Sequence, residues 1–73
     1  MEVVTVPQDS QQVDRTLGEL APARRLGVQV AGINRNGGRI LNPSGEEKIR
    51  PGDEVLVLGS PDQIAAFRAT LSG

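Results

Sequence analysis

Val28-Gln29-Val30-Ala31-Gly32-Ile33-Asn34-Arg35-Asn36-Gly37-Gly38-Arg39-Ile40-Leu41-Asn42 is the stretch on which the fold turns. Val28 and Val30 share one face by the two-residue period of a strand, and Gly32 continues that face without a side chain. Ile33 points the opposite way, beside Ala31. Apolar groups on both faces mark either a central strand or one whose second face meets a partner. Asn36-Gly37-Gly38 supplies the left-handed backbone of a tight hairpin turn. Arg39 to Asn42 is then the returning strand, and Pro43 ends it.

Downstream of this hairpin, Asn42-Pro43-Ser44-Gly45 reads as a turn and Glu46-Glu47-Lys48 as solvent-facing polar chain. Ile49 is an isolated apolar anchor. Arg50-Pro51-Gly52-Asp53 has proline and glycine at the two central positions of a type II turn. The strand it launches, Glu54-Val55-Leu56-Val57-Leu58, is apolar on both faces and belongs at the centre of a sheet. Gly59 closes it. Ser60-Pro61-Asp62-Gln63 combines an N-cap, a proline at the first helical position and a glutamine three residues after the cap. The helix so opened runs to about Leu71, with Ile64, Phe67 and Leu71 on one face.

Upstream, Glu2 to Val6 is a β-branched strand stopped by Pro7, and Gln8 to Asp14 is a polar loop. Thr16 caps a helix that Glu19 closes reciprocally. Leu17 and Leu20 give that helix its apolar edge, Pro22 interrupts or resets it, and Gly27 terminates it. The order β-α-β-β-β-α predicts an α+β fold: a two-layer sandwich with a mostly antiparallel or mixed four-stranded sheet and helices on one face.

The chain has 73 residues, with no cysteine and no histidine. That length makes one domain, residues 1–73, and a core this small is usually completed by a disulfide, a metal or a second copy. Without cysteine or histidine, a homodimer is the expected remedy, and the Ile33 side of the sheet is the face it is expected to cover. Imidazole and thiolate chemistry are excluded, so the chain is not read as an enzyme. Eight basic residues against nine acidic ones, with Phe67 the single aromatic, give neither a footprint nor a stacking platform for nucleic acid. No membrane span or signal peptide is visible. The expected setting is the cytoplasm.

The ordered combination Thr16-Leu17-x-Glu19-Leu20, Arg25-x-Gly27-Val28-x-Val30-x-Gly32-Ile33-x-Arg35, Ile40-x-Asn42-Pro43, Ile49-x-Pro51-Gly52-Asp53-x-Val55-Leu56-Val57-Leu58-Gly59-Ser60 and Asp62-Gln63-Ile64 resembles the C-terminal regulatory subdomain of RCK (regulator of potassium conductance) proteins, the TrkA-C domain. The resemblance spans Val3 to Leu71. It implies a non-catalytic, cytoplasmic homodimeric sensor attached to an inner-membrane potassium channel, potassium uptake system or cation:proton antiporter. It also implies a regulatory ligand at the dimer interface: cyclic di-AMP in some members and, as the weaker expectation here, a divalent cation. No Gly-x-Gly-x-x-Gly is present, so NAD binding is not carried over, and the chain resembles an excised or stand-alone C-terminal piece.

Carried onto this sequence, the resemblance marks Ile33, Arg35, Ile40 and Pro43 as ligand-binding positions, with Asn34 and Asn42 as polar neighbours. Arg35 would fork onto a phosphate, the asparagine amides would read base edges, and Ile33 and Ile40 would pack on a purine. No residue is assigned to a metal. Each position also has a plainer reading: Ile33 and Ile40 as dimer core, Arg35 as a solvated hairpin charge, Asp53 as part of its turn, Arg24-Arg25 as complements to a helix end. Glu46-Glu47 with Asp53-Glu54 offers oxygen ligands for calcium, or is simply a polar loop. The alternative to a sensor is a structural dimerisation domain of a transporter with no small-molecule ligand.

Overall fold

The hairpin is where the sequence places it. In the computed structural model, which describes residues 1–73, strands β2 (Gln29–Arg35) and β3 (Gly38–Leu41) pair antiparallel around Asn36 and Gly37. These two residues have φ of 51° and 79°, the doubly left-handed turn whose twist matches that of the flanking strands. The remaining elements are β1 (Glu2–Thr5), α1 (Leu17–Leu20), α2 (Pro22–Leu26), β4 (Glu54–Leu58) and α3 (Pro61–Ser72). The sheet order is β1-β4-β2-β3 and every neighbouring pair is antiparallel. β4 is an interior strand, as its two apolar faces require.

Both helix starts follow their local chemistry. Thr16 Oγ1 accepts from the Glu19 amide while the Glu19 carboxylate accepts from the Thr16 amide, and Ser60 and Gln63 repeat the exchange at α3. Pro22 resets the first helix: a residue before proline is kept out of the right-handed helical region, and Ala21 adopts φ 46° between α1 and α2.

Helices cover one face of the sheet. Val4, Val6, Ile33, Val55 and Val57 pack there against Leu17, Leu20, Ile49, Ile64, Phe67 and Leu71. This corrects the expectation that a partner covers the Ile33 side. Ile33 has no exposed surface and belongs to the chain's own core. The cause is a bulge. The β2–β4 register runs Val30↔Val57 and then Gly32↔Leu56 and Ile33↔Val55, so Ala31 is an extra residue. One extra residue shifts everything after it to the opposite face. Val30 and Ile33 therefore both face the helices, and Gly32 faces out.

The outer face carries one residue from each strand in register: Val3, Leu56, Gly32 and Leu41, then Thr5, Glu54, Asn34 and Arg39 in the adjoining row. The first row is apolar: its two ends are exposed, while Leu56 and Gly32 between them are buried. Val3 is 44% exposed and Leu41 69%.

The segment Gly45–Ile49, expected to be free polar chain, is tied to residues 14–18. Ile49 and Asp14–Arg15 exchange backbone hydrogen bonds at 2.9 and 3.0 Å, Leu17 donates to the Glu47 carbonyl, and Gly18 donates to that of Gly45 at 2.8 Å. Thr16 and Lys48 form a bridge between them. Ile49 is buried in the core.

Candidate ligand-binding site

Arg35 is the residue through which the sequence points to an anion, and the bulge decides where it goes. It shares parity with Ile33, so its side chain leaves β2 on the helix side and reaches the 45–53 segment. Its Nε donates to Asp53 Oδ1 at 2.9 Å and its Nη2 to Asp53 Oδ2 at 2.8 Å, a two-pronged fork. Nη1 donates to Glu47 Oε2 at 3.0 Å and Nη2 also to the Lys48 carbonyl at 2.9 Å. Asp53, 1% exposed, takes a further bond from the Arg50 amide. The Asp53 hydrogen bonds, above all, push the guanidinium further above its already high ordinary pKa, against the opposing effect of burial. Arg35 is a fixed cation at every accessible pH.

The anions Arg35 holds are thus its own chain's carboxylates. Glu47 and Asp53, two of the four carboxylates the sequence offers to calcium, are bound to this guanidinium. Asp53 serves its turn and also anchors a strand 18 residues away, a role that sequence reasoning missed. The signal was the pairing of a basic strand residue with a Gly-Asp turn, which no local rule connects.

The other predicted positions are dispersed. Asn34 lies on the outer face, where its Oδ1 accepts from Arg39 Nε at 2.9 Å. Ile40, half-buried, packs from the edge strand against the core on the opposite face. Asn42 leaves β3 with φ 46° and donates its amide to the Ala31 carbonyl at 3.0 Å, holding the bulge residue. Pro43 borders a depression of about 380 Å³ with Leu17, Pro22, Arg24, Val28 and Val30. The six residues therefore do not line one concavity within a single chain. A second depression at the hairpin end, about 710 Å³, is lined by no hydrophobic residue and brings together two of the six, Asn34 and Arg35, with Asn36, Arg39 and Glu54.

With the geometry in hand, comparison with known proteins is decisive on family. Residues 1–72 match the family model of the TrkA-C domain. The chain belongs to that family. No curated protein matches it. Among solved structures, this TrkA-C domain is similar to the RCK_C domain dimer of S. agalactiae BusR in complex with c-di-AMP, with a TM-score of 0.89 and 24% identity over 97% of this chain and 93% of that one. It is similar to the RCK C domain of the potassium transport protein KtrA in complex with c-di-AMP, with a TM-score of 0.81 and 16% identity over 93% and 80%. It also matches S. agalactiae BusR in complex with its busAB-promotor DNA, at a TM-score of 0.89 and 24% identity over 97% of this chain, but spans 35% of that longer one. These likenesses establish the fold of the TrkA-C domain. No helix of the chain is long and apolar enough to cross a membrane.

Proposed function

We propose that this TrkA-C domain is a regulatory, non-catalytic module that dimerises through the outer face of its sheet. A small ligand, cyclic di-AMP, binds at the dimer seam and controls a potassium channel or transporter, or a cation:proton antiporter, to which the domain is attached at the cytoplasmic side of the inner membrane. The observation that carries this reading is the apolar row Val3, Leu56, Gly32 and Leu41 on the outer face, which leaves Val3 and Leu41 exposed on a domain whose other sheet face is already filled. The dimeric, c-di-AMP-bound state of the BusR RCK_C domain and the ligand of the KtrA domain support it.

A ligand with two identical halves suits an isologous seam, because each half meets the same surface of a different copy. Of the six marked positions, Asn34 on the outer face and Asn42 and Pro43 at the exit of β3 meet the ligand, while Ile33, Arg35 and Ile40 hold the hairpin from the helix side. The ligand acts on the attached gate only by the difference in its affinity for two arrangements of the pair. Calorimetry with cyclic di-AMP tests this. One ligand per two chains is expected, with heat strongly reduced in Asn34→Ala. No heat at high micromolar ligand would remove cyclic di-AMP.

One observation favours a second reading, a structural assembly domain without a small ligand. Arg35, the phosphate-binding candidate, is engaged by Asp53, Glu47 and the Lys48 carbonyl. On that reading the dimer persists and the heat is absent.

A further inference from the structure

The helix-side row of β1 begins with a charge. Val4 and Val6 are buried in the core, whereas Glu2, which shares their parity and stands opposite Val57 of β4, is exposed. α3 changes character beside it. Its core face is Ile64, Phe67 and Leu71. A second stripe runs alongside, Pro61, Ala65 and Arg68, at the spacing of one helix face, and two of its three members are too small to reach the sheet. The space left between this stripe and the start of β1 is a cleft of about 370 Å³, lined from the core side by the buried Val57 and Ile64. Glu2 and Arg68 line it as well, and neither takes part in the chain's ion pairs, which join Arg35 to Glu47 and Asp53 and Arg50 to Asp14.

We infer that this cleft binds a small zwitterion with an aliphatic group, a free α-amino acid of the leucine or isoleucine kind. The ligand's ammonium meets the Glu2 carboxylate, its carboxylate forks onto the Arg68 guanidinium, and its side chain covers Val57 and Ile64. The volume suits such a ligand: small-molecule pockets run from ~300 to ~1,000 Å³, and this one is near the lower end. The cleft opens on the helix side of the sheet. A seam on the outer face leaves it free, so the inference does not depend on the dimer reading.

The charges select among ligand classes. An anion, cyclic di-AMP included, would bring negative charge against Glu2. A simple cation would leave Arg68 unmet, and an apolar compound would take water from both charges without replacing it. A ligand carrying both signs answers both walls. Turning a charge inward also protects an edge strand from unwanted pairing, which accounts for Glu2 by itself. It accounts neither for a cation across the cleft nor for the aliphatic surface between the two.

Backbone amide shifts in an NMR titration with L-leucine test the site. Saturating shifts are expected at Glu2, Gly59, Ile64, Ala65 and Arg68, with the hairpin amides of Asn36 and Gly37 unmoved. Both charges are exposed and screened, so a dissociation constant on the order of 1 mM is expected. N-acetyl-leucine lacks the ammonium and leucinamide the carboxylate, and each is expected to bind about fivefold or more weakly than leucine. Glycine, with both charges and no side chain, is expected to bind more weakly than leucine. In Glu2→Gln the preference for leucine over N-acetyl-leucine is expected to vanish while that over leucinamide remains, and Arg68→Gln is expected to do the reverse. Both substitutions are at exposed positions, so urea midpoints are expected to match the parent. Shifts at these amides that fail to saturate at tens of millimolar leucine would overturn the site. Analogues or glycine that bind as tightly as leucine, or variants that keep both preferences, would overturn the assignment of a zwitterion to it.

Discussion

Replacing Arg35 by alanine isolates the interaction that joins the hairpin to the 45–53 segment. In the parent, Asp53 is 1% exposed and accepts three bonds, two from Arg35 and one from the Arg50 amide. The variant leaves a carboxylate buried with the amide alone. Breaking a buried ion pair by removing one partner costs about 3–5 kcal/mol, because the remaining charge is uncompensated. A domain of this size has roughly 4–11 kcal/mol in total at ~0.05–0.15 kcal/mol per residue, so the substitution removes on the order of half. At ~4–8 °C per kcal/mol the midpoint falls by about 12–40 °C. Arg35→Lys keeps the charge but loses the planar fork, and falls between parent and alanine.

Urea unfolding at one fixed protomer concentration is the assay, since a dimer makes apparent stability depend on concentration. Two substitutions calibrate it. Asp14→Asn breaks the Arg50 pair, in which both side chains are more than half exposed, while keeping a residue type that tolerates the φ of 72° at this position, and is expected to cost about 0–1 kcal/mol. Arg35→Met with Asp53→Leu removes both buried charges and is expected to recover part of the loss. If Arg35→Ala cost no more than Asp14→Asn, the reasoning from burial would be refuted.

Glu19 links stability to pH. Its carboxyl lies below the ordinary glutamate value of 4.5, chiefly because it accepts the Thr16 amide; a depressed folded pKa stabilises above the unfolded value and is lost as pH falls through the folded one. Glu19→Gln is therefore expected to flatten the stability profile below about pH 4.5, as read by thermal midpoint against pH. Gly32→Val forces a side chain onto the Ile40 carbonyl, 2.9 Å from the ideal Cβ position. It is expected to cost about 1–3 kcal/mol in urea unfolding and to weaken dimerisation further, a split that a unit-wide loss of stability alone would not produce.

The parts of the fold legible in the sequence are those whose causes lie within four residues. Thr16 and Glu19, Ser60 and Gln63, Asn36 and Gly37, Pro51 and Gly52 each carry their partner beside them, and each stands where its chemistry places it. The core face of α3 follows from a single period. Pairings between distant segments were less visible. Nothing in Glu46-Glu47-Lys48 announces a bridge to Thr16, because the bond is made by backbone groups every residue has. Arg35 and Asp53 are each readable as local features, and only the return of the chain at β4 brings them together. The sheet is antiparallel throughout because β1 meets β4 in the opposite direction, a choice made by the path between them.

The bulge at Ala31 has the widest consequence, since a strand's faces are assigned by counting in twos. Counting without it puts Gly32 with Val28 and Val30 and sends Ile33 to a partner. Counting with it sends Ile33 and Arg35 to the helices and Gly32 outward. The Asn42 amide bonds the Ala31 carbonyl, so the extra residue is held by the exit of the same hairpin. Three properties then depend on one inserted position. Ile33 completes the core, Arg35 reaches Asp53, and a residue without a side chain lies at the middle of the outer face. Deleting Ala31 would return Ile33 and Arg35 to the outer face, exposing an isoleucine and separating the guanidinium from a buried carboxylate at once. The cost of the second alone is comparable to half the domain's stability. Core, ion pair and seam are therefore set together by this bulge, and the face left free for association is the one from which it has removed both the large side chain and the charge of β2.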